Sequence, residues 1–209
     1  MRTSATPVVI AVALVGGAAG SVWAQDRPGV ELSGGYQVLK LQNEALDAAG
    51  VETLFPVGWF VEAAAPVSTG LTLAGQVGGH YRSESARSMF LGVPRAVDYS
   101  LKVHSFLAGA RVVGRREDGL TAFFHVFAGA TRVGLTLSEE PLAGGIQVPL
   151  LGRDGATTEF TLQAGGGFDF PLTSRWSGRV TADYLRLFTE GAPTHGVRVA
   201  VGWVVPLAR

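Results

Sequence analysis

The stretch Gly196-Val197-Arg198-Val199-Ala200-Val201-Gly202-Trp203-Val204-Val205-Pro206 places Val197, Val199, Val201, Trp203 and Val205 on one side and Arg198, Ala200 and Gly202 on the other. Successive side chains of an extended chain point to opposite faces, so this period of two predicts a strand with one apolar face and one polar or small face. The pattern recurs upstream. Arg175 to Phe188 sets Trp176, Val180, Ala182 and Tyr184 against Ser177, Arg179, Thr181 and Asp183. Thr158 to Phe170 sets Phe160, Leu162, Ala164, Phe168 and Phe170 against Glu159, Thr161, Gln163, Gly165, Gly167 and Asp169. Leu120 to Val133 alternates too, with Phe123 and Phe127 falling on its polar side beside His125.

Four further segments complete a set of eight. Leu101 to Arg115 opposes Phe106, Ala108, Ala110 and Val112 to Ser105, Gly109 and Arg111. Gly70 to Arg82 opposes Leu71, Leu73, Val77 and Tyr81 to Thr72, Ala74, Gln76, Gly78, His80 and Arg82. Leu54 to Ala64 opposes Trp59, Val61 and Ala63 to Gly58, Phe60 and Glu62, and Val30 to Lys40 opposes Val30, Leu32, Tyr36 and Val38 to Glu31, Ser33, Gly35 and Gln37. Residues 65–69, 116–119 and 171–174 are short and rich in Pro, Gly, Asp and Ser, which marks tight turns. Residues 41–53, 83–100 and 134–157 read as longer loops, with a shorter one near 190–195. Short turns at one end and long connections at the other predict an up-and-down antiparallel meander.

Composition narrows what such a sheet can be. The chain has 209 residues with 17 basic and 17 acidic side chains, so it lacks the cationic surplus by which a protein holds nucleic acid. With no cysteine it has no disulfide framework and no thiolate metal site. Charged residues are 16% of the chain, against roughly a quarter in soluble proteins, so part of its surface is expected to meet something other than water.

The decisive question is which face meets that medium. A soluble barrel turns its apolar face inward; an outer-membrane barrel inverts the sense and keeps polar groups in the lumen. Three features favour inversion. The polar face is rich in Gly, Ser, Thr and Gln and poor in Lys. Its charges come in both signs, Glu31, Glu62, Glu159, Asp169 and Asp183 against Arg82, Arg111, Arg179 and Arg198, so they can pair within an enclosed lumen. The apolar face carries Trp59, Tyr81, Trp176, Tyr184 and Trp203 near strand ends, where lipid boundaries collect aromatic girdles. Closure of eight strands also removes the sheet edges that lipid does not tolerate. A soluble barrel holding an apolar ligand is the competing reading.

Residues 1–24 join a basic start, the apolar run Val8 to Ala19 and a Val22-Trp23-Ala24 end, the make-up of a cleaved export signal. The run is shorter than the ~20 residues a spanning helix needs. Residues 25–209 are expected to form one barrel domain in the outer membrane.

The blocks Gly58-Trp59-Phe60-Val61, Gly75-Gln76-Val77-Gly78-Gly79-His80-Tyr81, His104 to Arg111, Phe124 to Ala130 and Gly165-Gly166-Gly167-Phe168-Asp169, followed by Asp183-Tyr184, resemble a bacterial family of small outer-membrane proteins with the OmpA-like eight-stranded barrel. The resemblance spans nearly the whole chain after residue 24. It implies a fold and an address, lipid as the surrounding partner, and help from the barrel-insertion machinery during assembly. Such proteins often end on an aromatic residue; here Trp203-Val204-Val205 is followed by Pro206-Leu207-Ala208-Arg209.

Chemistry is sparse. His80, His104, His125 and His195 are dispersed, with no paired metal-ligand spacing, so neither metal nor cofactor is expected. Some barrels of this architecture are lipid A-modifying enzymes with Ser, His and an acid, which draws attention to Ser105. His104 is adjacent to it and points to the opposite face; His125 on the next strand reaches it only if the register allows. The expectation is a monomeric, non-enzymatic barrel that meets surface ligands through residues 83–100 and 134–157, with a narrow passive porin as the alternative.

Overall fold

The computed structural model describes residues 29–42, 53–90, 93–115, 119–139, 155–173, 175–189 and 194–207. The export signal expected at 1–24 lies outside them, as do the centres of the connections at 43–52 and 140–154. Nine strands follow one another: β1 (Glu31–Gln42), β2 (Leu54–Phe55), β3 (Val57–Ser68), β4 (Leu71–Phe90), β5 (Val93–Arg115), β6 (Thr121–Glu139), β7 (Gly155–Pro171), β8 (Ser177–Phe188) and β9 (Thr194–Pro206). β1 pairs antiparallel with both β2 and β3, each strand from β4 on pairs antiparallel with the one before it, and β9 pairs with β1 to close the sheet into a barrel.

There are nine strands but eight staves, because β2 and β3 are one stave interrupted at Pro56. Phe55 lies opposite Leu39 while Trp59 lies opposite Tyr36, so the stave carries one extra residue across the break. Proline has no N–H for the ladder, and a bulge is one of the few places a sheet accepts it. The extra residue reverses the alternation locally and turns Phe55 into the lumen, where it is buried.

The pairs Glu31–Ala64, Ala64–Ala74, Ala74–Gly109, Gly109–Phe127, Phe127–Gln163, Gln163–Leu185, Leu185–Gly196 and Gly196–Leu41 lead once around the barrel. The circuit returns to β1 ten residues beyond its start, which is the shear of the barrel. With eight staves this inclines the strands by roughly 40° and leaves an interior that side chains fill.

At the turn end Gly70 supplies the positive φ of 83° between β3 and β4, a conformation that costs glycine least. At the opposite, hairpin end the strands run further than expected. Residues 83–100 are not a loop: β4 and β5 stay paired from Arg82–Leu101 to Phe90–Val93, a hairpin that extends beyond the other staves. In 134–157 the pairing likewise continues to Glu139 on β6 and begins again at Gly155 on β7.

The apolar face points outward. Val197, Val199 and Val201 are about half exposed, whereas Arg198 and Ala200 between them are sealed inside. Phe123, His125 and Phe127 form a stacked ladder up the inner face of β6, with centroids 5.8 Å and 4.6 Å apart. Across the sheet from them stand Gly167, Gly165 and Gly109, whose missing side chains leave room for the rings. A Cβ on Gly109 would overlap the Val126 carbonyl and the Phe127 ring, while one on Gly114 would meet only the Ala122 carbonyl at 3.8 Å. Gly109→Ala is therefore expected to destabilise the barrel by roughly 1–3 kcal/mol and Gly114→Ala to leave it unchanged. Folded fraction after refolding into detergent, read by heat-modifiable gel mobility, checks the pair; equal yields would contradict the packing described.

Candidate functional site: the sealed lumen

Polar residues on the inward face of all eight staves meet at the centre of the barrel. Arg179 on β8 grips Asp169 on β7 with two parallel bonds of 2.7 Å, Nε to Oδ1 and Nη2 to Oδ2. Its Nη1 donates to Glu62 Oε1 at 2.9 Å and to Ser33 Oγ at 3.2 Å. Arg111 on β5 donates to the same Glu62 oxygen. Glu31 lies 3.8 Å from both guanidinium groups and is partly open at the turn end.

Gln76 carries the chain of bonds upward. Its amide nitrogen donates to Glu62 Oε2 at 3.2 Å, and its amide oxygen accepts from Arg198. Arg198 also donates to Gln37 Oε1 at 3.0 Å and to Asp183 Oδ2 through Nε at 2.8 Å and Nη2 at 2.6 Å. The other oxygen of Asp183 accepts from His125 Nε2 at 2.6 Å. From Asp169 to His125 the bonds form one continuous network. Arg111, Arg179 and Arg198 are only 2–3% exposed, Glu62 2% and Asp183 4%. Phe123 lies against two of the cations, its ring centre 4.7 Å from Arg111 Cζ and 4.9 Å from Arg179 Cζ, which adds the attraction of the ring face.

Of the nine charged residues read onto the lumen face, seven join this cluster: Glu31, Glu62, Arg111, Asp169, Arg179, Asp183 and Arg198. Two do not. Arg82 lies near the hairpin end and donates to the Leu54 carbonyl, and Glu159 is half-buried above the network, opposite Thr131. Sequence reasoning passed over the uncharged members Ser33, Gln37 and Gln76, although all three hold the same strand parity as the arginines.

Above the network the lumen is mixed: His80, Ser105, Thr131, Thr161 and Thr194 are buried there beside an apolar cluster. Leu39, Leu41, Phe55, Val103, Leu185 and Leu187 form a buried cluster beneath the hairpins, with Leu101 and Val133 against it. A smaller group, Ala64, Ala74, Leu107 and Phe127, fills the wall lower down. The lumen is thus not uniformly polar; a greasy plug closes it toward the hairpin end. Leu39, Leu41, Leu185 and Leu187 carry lumen parity in the sequence, which is the signal that reveals them.

The five aromatic residues read as a girdle are all exposed on the outer wall, at two levels. Trp59, Tyr81 and Tyr184 stand toward the hairpin end, where Trp59 Nε1 donates to Tyr81 Oη at 3.2 Å. Trp176 and Trp203 stand at the turn end beside the β8–β9 pairing. The structure does not bring Ser105 and His125 together. Ser105 faces Thr131 and His125 faces Arg111, so the two sit six residues apart along β6, about 20 Å, and His125 is engaged by Asp183.

Among solved structures, Neisserial surface protein A (NspA) matches with a TM-score of 0.58 at 11% identity, over 86% of this chain and 97% of that one. Ail, the attachment invasion locus protein of Yersinia pestis, matches with a TM-score of 0.51 at 14% identity, over 85% and 99%. No protein-family model matches the sequence, and no curated protein matches it. The likeness is one of fold: a closed eight-stave antiparallel barrel of the kind outer-membrane proteins use.

Removing one member of a buried ion pair leaves the other uncompensated. Asp183→Asn is expected to cost about 3–5 kcal/mol, because Arg198 and His125 both lose their carboxylate; Asp183→Leu with Arg198→Met is expected to cost less than Asp183→Asn alone. Urea unfolding of vesicle-inserted protein, followed by tryptophan fluorescence, measures both. A loss below about 1 kcal/mol for Asp183→Asn, the range of exposed pairs, would contradict the sealed network.

Proposed function

We propose that the protein is a non-enzymatic integral barrel of the outer membrane, a monomer that passes no solute and acts at the cell surface through its long hairpins. The observation that carries this reading is the filled lumen. Phe60, Phe123, His125, Phe127 and three arginines occupy its middle, and the leucine cluster closes it toward the hairpins. An eight-stave barrel has no width to spare for a water path beside them.

The outer wall supports the location. Tyr36, Val61, Val77, Phe106, Val126, Phe168, Val180 and Val201 are exposed on successive staves, an apolar belt that only acyl chains would cover continuously around a closed barrel. In this arrangement the short turns face the periplasm, and the extended β4–β5 hairpin together with the β6–β7 connection stands outside, where loops on a rigid scaffold meet partners. Within the apolar belt the closed circuit of hydrogen bonds leaves no strand edge for a second copy to pair with.

Recording current across planar bilayers that contain the full chain tests the reading against a narrow porin. No discrete conductance steps are expected. Reproducible single-channel steps in wild-type protein, lost when Leu185→Trp enlarges the plug, would overturn it.

A further inference from the structure

Among residues whose side chains are described, the carboxylates of the staves are confined to the inner face, while cations occur on both faces. Glu31, Glu62, Glu159, Asp169 and Asp183 all hold lumen parity. The exposed charges on the outer wall are Lys40, Lys102, Arg132 and Arg186, all cations. They also share one height. A shear of ten over eight staves makes each hydrogen-bonded step climb one and a quarter residues. Corrected for that climb, the four fall within about two residues of a common level, ~5 Å along the barrel axis, at the upper rim of the apolar belt.

The four form two patches of the same make-up on opposite sides of the barrel. On β4–β6, Lys102 pairs across from Tyr81 and Arg132 across from His104, with Tyr81 Oη 3.2 Å from His104 Nε2. On β8–β9–β1, Arg186 pairs across from His195, Lys40 stands across from Val197, and Tyr184 Oη is hydrogen-bonded to His195 Nδ1. Each patch has one lysine, one arginine and one tyrosine–histidine pair. No described carboxylate shares the outer wall with either. A long cationic side chain at a membrane boundary sends its head toward anionic headgroups and lays its stem on apolar surface. Guanidinium and ammonium groups side by side are suited to a phosphate, the first through a fork of donors and the second as a point charge.

We infer that each patch binds a phosphate group of the outer-leaflet glycolipid, so that the barrel carries two lipid A sites at its upper rim. The inference rests on the membrane reading above, with the hairpin end outward. The phosphoester sits between the lysine and the arginine, while the tyrosine–histidine pair adds a polar shelf at headgroup depth. The hairpins are then anchored relative to the membrane surface from two sides.

Full-length protein folded in phosphatidylcholine vesicles tests this, doped in turn with bis-phosphorylated lipid A, with the same glycolipid stripped of its phosphates, and with phosphatidylglycerol. Lipids retained on the released barrel are counted by native mass spectrometry. Two lipid A molecules are expected on the wild type, one on Lys102→Gln/Arg132→Gln, and none on the variant that adds Lys40→Gln and Arg186→Gln; the other two lipids are expected to be lost. Equal retention of the phosphate-free glycolipid or of phosphatidylglycerol by the wild type would overturn the inference without recourse to variants. So would unchanged lipid A retention by the fourfold variant, whose folding is checked by heat-modifiable mobility. Failure of the wild type to insert into phosphatidylcholine alone would instead defeat the membrane reading, and it is seen before any lipid is counted.

Discussion

A guanidinium group shut inside a closed sheet can be answered only by other residues of the same chain, and three of them stand within this barrel. Each is met by carboxylates and amides on facing staves: Arg179 by Asp169 and Glu62, Arg111 by Glu62, Arg198 by Asp183, Gln37 and Gln76. Glu62, Gln37 and Gln76 come from staves distant in the chain from the arginines they meet, so these bonds tie opposite sides of the cylinder together. Removing water from an ion costs several kcal/mol, so the network supports the fold only while it is complete. Its value lies in specifying one arrangement as much as in adding stability.

Everything outside the lumen follows from the opposite need. A wall facing hydrocarbon has no hydrogen-bond partner to offer, so every backbone group must be paired in the ladder and every outward side chain must be apolar. Closure of β9 on β1 meets the first demand, and the strict alternation meets the second. Glycines reconcile the two faces. Gly165, Gly167 and Gly109 make space for the ring ladder of β6 inside, while on the outer wall the Phe170 ring covers Gly178, so the wall keeps its apolar cover where a side chain is missing.

The sequence was most legible where lipid imposes that alternation. In β8 and β9 the period of two is unbroken, and the faces it predicts are those observed. It was least legible where the constraint lapses. Ser83-Glu84-Ser85-Ala86-Arg87-Ser88 shows no apolar face because a hairpin that extends past the lipid need not have one, and so it reads as loop although it is strand. Phe55 was hidden by the bulge at Pro56, which a single sequence does not announce. The leucine cluster is revealed by parity and not by hydropathy, because a leucine in a strand points to lipid or to the lumen according to its register alone. The charged network was half visible: the arginines and acids stand out, but which of them meet depends on a shear of ten that no local pattern encodes.

The proposed surface role rests on a filled lumen and on hairpins that extend beyond the other staves. The central claim beneath that view is the direction in which each stave turns its two faces. The chain has no cysteine, so single cysteines placed one at a time from Val197 to Trp203 can carry a nitroxide label unambiguously. Collision rates with oxygen and with a water-soluble nickel chelate, measured in lipid vesicles, are the most direct test. The account predicts strong oxygen contact at Val197→Cys, Val199→Cys and Val201→Cys, alternating with protection from both reagents at Arg198→Cys and Ala200→Cys. Nickel reaching position 198 while the valine positions are shielded, or a profile with no period of two, would contradict it.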